Sequence, residues 1–232
     1  MFVSQAVLVL LLSLAFALFA IASFASSTQV RTSKRTLRVM AFAPAIVVIG
    51  CAAVASGLRF NFTPSVPLGI YRLAPIPQSG VQRGSFVAVC APLDAAELGR
   101  RRGYLAAGPC PADTELLLKV VAAATGDSVV VSASGVAVNG CLLTHSRARS
   151  RDAAGRRLSP WPHVHLELRR GELWLYAAND RSWDSRYWGP VSIGDIKAEG
   201  TPLLVFPSVF HRGDPRCGLN DLVLPVHRSG HE

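Results

Sequence analysis

The sequence predicts a mainly β domain carried behind two apolar N-terminal helices, and three observations support this. Two N-terminal runs, each about the 20 residues a membrane helix needs, lack any charged side chain. From Asn61 onward, short segments rich in β-branched and aromatic residues alternate with Gly, Pro, Asn and Asp. No long amphipathic helical pattern interrupts them, apart from a short candidate in "LDAAELGRRRGYL". The chain has 232 residues, 50% apolar and 17% charged, which suits one substantial core and argues against a disordered chain.

Residues 1–28 form the first expected membrane helix, with Phe2–Phe24 almost wholly apolar. A cleaved signal sequence is the other reading, since Ala22–Ala25 offers small residues, but "MFVSQ" lacks the usual positive charge. Residues 29–38 carry Arg31, Lys34, Arg35 and Arg38, and short basic loops stay in the cytoplasm. Residues 39–59 form the second expected helix. Pro44 would kink a soluble helix, but membrane helices tolerate proline; a buried soluble helix is the other reading. This topology anchors the chain in the bacterial inner membrane and, in a Gram-negative cell, puts residues 60–210 in the periplasm, followed by a loosely ordered tail over 211–232.

The net charge of +9 points to nucleic acid only until it is divided along the chain. Residues 1–59 hold five bases and no acid, and residues 60–232 are left at +4. No nucleic-acid partner is expected. Contact with membrane lipid is expected, and the basic "SRARSRDAAGRR" is either a solvated loop or a further contact with anionic headgroups.

Within the outer domain, "SFVAV", "DSVVVSASGVAVNG" and "GELWLYA" read as strands, the middle one as a hairpin followed by an Asn139-Gly140 turn. Cys90, Cys110, Cys141 and Cys217 allow three pairings. Cys90–Cys110 is the disulfide candidate, with buried free thiols as the alternative. "HVH" (His163–His165) is too sparse for zinc and suits a strand face. No glycine-rich phosphate loop is visible.

Three segments carry candidate chemistry. Lysine is scarce: among 24 bases only Lys34, Lys119 and Lys197 are lysines. Lys119 sits in "ELLLKVVAAATGD", where an apolar surround would lower its pKa and fit it to act as a base. The other reading is a strand lysine reaching solvent along its stem. In "NFTPSVPLGIY", Ser65 lies between prolines that stiffen the backbone, which suits either a nucleophile or a juxtamembrane linker. Thr63 could place a hydroxyl beside a developing oxyanion. In "NDRSWDSRYWGPV", Ser182 could bond a lysine amine and Asp184 could pair with Arg186, or the stretch is a hairpin loop with a surface salt bridge.

Taken in order, "NFTPSVPLGIY", "LLLKVVAAATGD", "GVAVNG" and "SWDSRYWGPV" resemble the type I signal peptidases, in particular the conjugative-transfer, TraF-like subgroup. The resemblance covers Asn61 to about Phe206. It implies a signal-peptidase-like antiparallel β-sheet or barrel domain and a serine endopeptidase needing no cofactor and no metal. It makes Ser65 the nucleophile, Lys119 the general base and Asp184 a third essential residue. Thr63, Ser182 and Arg186 support them. The implied partners are a pilin precursor or other preprotein and components of the mating pore, with peptide cyclisation as one outcome. Val66 stands where general signal peptidases carry methionine, as suits the TraF-like subgroup. The alternatives are a general type I signal peptidase and a non-catalytic, membrane-tethered β-domain of the mating-pore assembly.

Overall fold

The computed structural model describes residues 56–63 and 65–206, together with Gly50 and Ala52. The expected first helix, the basic loop and the 211–232 tail lie outside the described residues, as does most of the expected second helix. That helix does not reach Arg59, because residues Leu58–Asn61 form the first strand, β1. Among the described residues, no helix is long and apolar enough to cross a membrane. The chain divides between Arg59 and Phe60 into two compact units, and the account below concerns the second.

The domain is mainly β, as expected, and its antiparallel strands form two sheets. The larger sheet contains β1, β2 (Leu68–Ala74), β3 (Phe86–Val89), β5 (Leu117–Ala123), β10 (Glu172–Tyr176), β11 (Val191–Ser192) and β12 (Ile196–Phe206). Their order across it is β1-β2-β12-β3-β5-β10-β11. The smaller sheet contains β6 (Ser128–Ser132), β7 (Gly135–Val138), β8 (Cys141–Leu142) and β9 (Val164–Glu167), in the order β8-β7-β6-β9. A short strand β4 (Ala107–Cys110) completes the set.

Local chemistry accounts for these elements. All four side chains of β3 are buried, as the apolar run Phe-Val-Ala-Val requires of a central strand covered on both faces. In β6 and β7 the valines at 129, 131, 136 and 138 point into one core with Trp174, Tyr176 and Leu168. Each fully buried valine contributes about 1.5–3 kcal/mol of burial free energy. Asn139 and Gly140, with φ of 50° and 79°, make the tight β7–β8 turn, the geometry for which Asn-Gly is favoured.

One helix, α1 (Leu93–Arg102), leaves the larger sheet after β3. It carries Asp94 in its first turn and Arg100, Arg101 and Arg102 in its last, matching the helix dipole at both ends. Gly103 closes it in the left-handed conformation. Cys90 and Cys110 flank this excursion and are joined by a disulfide, with Cα atoms 5.4 Å apart.

Candidate active site

Lys119 lies on β5, paired across the ladder with Val87 of β3. Strand alternation places it on the face opposite Leu118 and Val120, which pack around Val66, Tyr71 and Phe86. Its side chain is 2% exposed, so the amine does not escape to solvent along its stem. Nζ donates to Ser182 Oγ at 2.7 Å and to Ser65 Oγ at 3.1 Å. Burial, chiefly, lowers its pKa from 10.5 to about 8, and the Arg186 guanidinium pushes the same way. Asp184 and Glu115 pull it back up.

Ser182 is presented by the loop after β10. Within that loop Asn179 accepts the Arg181 amide through its Oδ1 and the Ser182 amide through its carbonyl. The next turn is a short helix, α2 (Ser185–Trp188), capped by the Asp184 carboxylate. Ser185 Oγ accepts the Leu175 amide and ties α2 to β10. Gly189 then ends α2 at φ 75°, where a Cβ would come within 2.5 Å of the Trp161 ring.

Asp184 and Arg186 form an ion pair whose side chains are both fully buried. The contact is bidentate, with Nε to Oδ1 at 2.8 Å and Nη2 to Oδ2 at 2.7 Å. The guanidinium also donates to the carbonyls of His145 and Asn179. Asp184 in turn accepts the amides of Ala177 and Arg186. Among the described residues Asp184 makes no hydrogen bond to Ser65, Lys119 or Ser182. It touches the amine only through its charge, and otherwise fixes the loop that carries Ser182.

The indole of Trp183, next to Ser182, donates to the Ala95 carbonyl on α1 and stacks on Tyr187 at 4.9 Å. The helix bounded by the Cys90–Cys110 bridge therefore packs against the turn that carries Ser182.

Ser65 sits half-buried in the loop between β1 and β2. Thr63 is exposed, and its hydroxyl donates to Asn61 Oδ1 at 2.9 Å, so in this state it is not offered to an oxyanion. Asn61 itself is buried and bonded throughout the loop. Sequence reasoning missed it. The available signal was an Asn four residues before the candidate nucleophile, where its amide can mimic a turn of backbone.

Of the residues singled out from sequence, the structure brings Ser65, Lys119 and Ser182 into one hydrogen-bonded chain and sets Asp184 and Arg186 behind it. His165 lies on β9 against Ser128 Oγ. In the basic loop Arg156 pairs with Asp152, and Arg149 with Asp180.

A family model described as signal peptidase, peptidase S26, matches residues 3–204. A plasmid transfer protein TraF of Escherichia coli is 35% identical over 164 residues, covering 70% of this chain and 91% of the relative. A second Escherichia coli protein of that name is 34% identical over 173 residues, with 71% and 96% covered. A conjugal transfer protein TraF of Agrobacterium fabrum is 34% identical over 151 residues, with 65% and 84% covered. A solved signal peptidase I of Enterococcus faecalis aligns with 53% of this chain and 97% of its own at 18% identity. The TM-score of that alignment is 0.30.

Proposed function

The chain belongs to the S26 signal peptidase family, and from that premise we propose that it is a membrane-bound serine endopeptidase working through Ser65 and Lys119. The observation that carries the reading is a buried amine, its pKa lowered to about 8, standing 3.1 Å from one serine hydroxyl. Arginine could not take this place, because it stays protonated.

Once Lys119 has lost a proton, its lone pair faces Ser65, whose hydroxyl donates to it. Ser65 Oγ attacks the scissile carbonyl carbon as its proton passes to Nζ. The carbonyl oxygen becomes an oxyanion, held by the Ser65 N–H and by Thr63 after its hydroxyl leaves Asn61. Collapse breaks the C–N bond, and Lys119 returns the proton to the departing amine. Water then attacks the acyl-enzyme, giving its proton to Lys119, and collapse breaks the bond to Ser65 Oγ, which takes that proton back as the acid is released. Ser182 Oγ, accepting from Nζ, aims the amine through both halves. Asp184 and Arg186 act as positioning residues for Ser182.

The proposed substrate is the precursor of a pilin or another exported protein of conjugative transfer. The TraF relatives, which are named as plasmid and conjugal transfer proteins, support this choice. If the substrate's own N-terminus replaces water as acceptor, the product is a ring one water lighter than the linear peptide. The proposed location is the bacterial inner membrane, with the catalytic domain in the periplasm. Two features support it. A disulfide such as Cys90–Cys110 persists in an oxidising compartment. Phe60, Phe62, Leu203, Leu204 and Phe206 are exposed on β1, on the loop after it and on β12, the strands that flank β2, and such apolar side chains suit contact with lipid.

The test is to incubate the full chain in detergent with a candidate pilin precursor and weigh the products. Cleavage or ring closure is expected with the wild type and neither with Ser65→Ala or Lys119→Ala. Equal processing by either variant and the wild type removes the proposal.

A further inference from the structure

The loop that carries Ser65 is gripped by one side-chain amide. Asn61 ends β1 with its side chain turned inward and 8% exposed. Its Nδ2 donates to the carbonyls of Thr63 at 2.8 Å, Val66 at 3.1 Å and Pro67 at 3.1 Å. Its Oδ1 accepts the Thr63 amide at 3.3 Å and the Thr63 hydroxyl at 2.9 Å. Three carbonyls on one side and a backbone N–H on the other leave a single assignment of nitrogen and oxygen. Two donor hydrogens serve three acceptors, so at least one is shared. Tyr71 reaches the same loop from β2, its buried hydroxyl donating to the Pro67 carbonyl at 2.8 Å.

These bonds bracket Ser65 from two residues before it to two residues after. With its flanks held, Ser65 has little left to choose but its own side-chain rotamer, and the 3.1 Å approach to Nζ follows from the backbone. Among the described residues no hydrogen bond joins Asn61 to Lys119, which lies on β5 beside β3 and meets the loop after β10 through Ser182. The two halves of the site are therefore held separately, the amine by its own surroundings and the hydroxyl by Asn61.

We infer that Asn61 is the positioning residue of the nucleophile: its amide hydrogens set the distance and direction of Ser65 Oγ from Lys119 without touching the reacting atoms. This inference rests on the Ser65–Lys119 reading above. The donor side of the amide does the positioning, whereas the acceptor side only parks the Thr63 hydroxyl. Asn61→Asp keeps the acceptor oxygens but turns a carboxylate onto three carbonyls, so it does not restore what Asn61→Ala removes.

The test needs no natural substrate. The full chain in detergent is treated with a fluorophosphonate ester, from which an activated Ser65 Oγ displaces fluoride while its proton goes to Lys119. The adduct is followed by intact mass as pH is raised through the Lys119 pKa of about 8. Wild type should be labelled with a midpoint there, and Ser65→Ala should not. Asn61→Ala and Asn61→Asp should both be labelled about 10²-fold more slowly, the cost of roughly 1 Å of misplacement, with the midpoint unmoved. Tyr71→Phe keeps the ring against Phe86 and loses one hydrogen bond, so it should slow labelling by about two- to tenfold.

Wild-type rates in Asn61→Ala overturn the inference. So does recovery in Asn61→Asp, or a slowing accompanied by a midpoint climbing toward 10.5, since that reports water reaching Lys119 through a loosened fold. If Asn61→Ala fails to fold, Tyr71→Phe decides, and labelling at the full rate refutes the proposed grip. Failure to label Ser65 in the wild type at any pH sinks the Ser65–Lys119 reading itself, an outcome distinct from the others.

Discussion

Replacing Asp184 with Asn tests how the buried charges behind Lys119 work. The side chain is nearly isosteric, so the change is mainly one of charge. The new Oδ1 can still accept from Arg186 Nε, but an NH2 group now faces Arg186 Nη2 and the Ala177 amide, donor against donor. The guanidinium is left charged and fully buried. Breaking one partner out of such a pair costs about 3–5 kcal/mol, a large part of an ordinary domain's stability.

The same change acts on Lys119 in a definite direction. Burial already holds its pKa well below 10.5, and Asp184 is the main charge pulling it back up to about 8. Without that carboxylate, and with Arg186 uncompensated, the amine's pKa falls below 8. Activity depends on the neutral amine, of which about one in ten is present at pH 7 for a pKa of about 8. The acid limb of the rate profile should therefore have its midpoint near pH 8 in the wild type and lie at lower pH in Asp184→Asn. The linkage to stability runs the same way. A lysine whose folded pKa is lowered destabilises the fold while charged, by about 3 kcal/mol for the fall from 10.5 to about 8. That penalty is full below pH 8 and is lifted as pH rises from 8 to 10.5. The assay is the pH dependence of Ser65 labelling, paired with denaturant unfolding at pH 7. An acid limb that moves to higher pH in Asp184→Asn, or an unchanged unfolding midpoint, refutes the reasoning.

Other outcomes follow from the same geometry. Ser182→Ala removes the acceptor 2.7 Å from Nζ and should slow acylation by about 10- to 100-fold, the effect of leaving a buried donor unpaired, as measured by single-turnover labelling. Thr63→Val should lower kcat on a cleaved precursor by about 10²-fold with KM little changed, whereas a wild-type kcat assigns the oxyanion to the Ser65 N–H without Thr63. Opening the Cys90–Cys110 bridge, which closes a separation of 20 residues, should cost about 3 kcal/mol in denaturant unfolding with and without reductant. It should also slow Ser65 labelling, because α1 supports Trp183 beside Ser182.

Much of the fold follows from local sequence. The strands β3, β6, β7 and β10 lie within the segments read from β-branched content, and Asn139-Gly140 turns where its backbone freedom suggests. The short helix also appears within its candidate segment, as α1. What was illegible is how many sheets these strands make, because strand composition is silent about partners: a strand states which faces it buries, not which edge it pairs.

The candidate site divides along the same line. Sequence by itself singled out a lysine in an apolar strand, a serine between prolines and a polar turn, and the resemblance assigned them roles. Only the tertiary structure decided that these groups meet, across separations of 54 and 63 residues, because the sheet sets β5 beside β10 and the loop before β2 reaches Lys119. It also decided that Asp184 pairs with Arg186 rather than hydrogen-bonding the amine, and that a buried Asn61 grips the nucleophile loop. Burial and hydrogen-bond partners belong to the packed chain, and no local pattern of residues states them in advance.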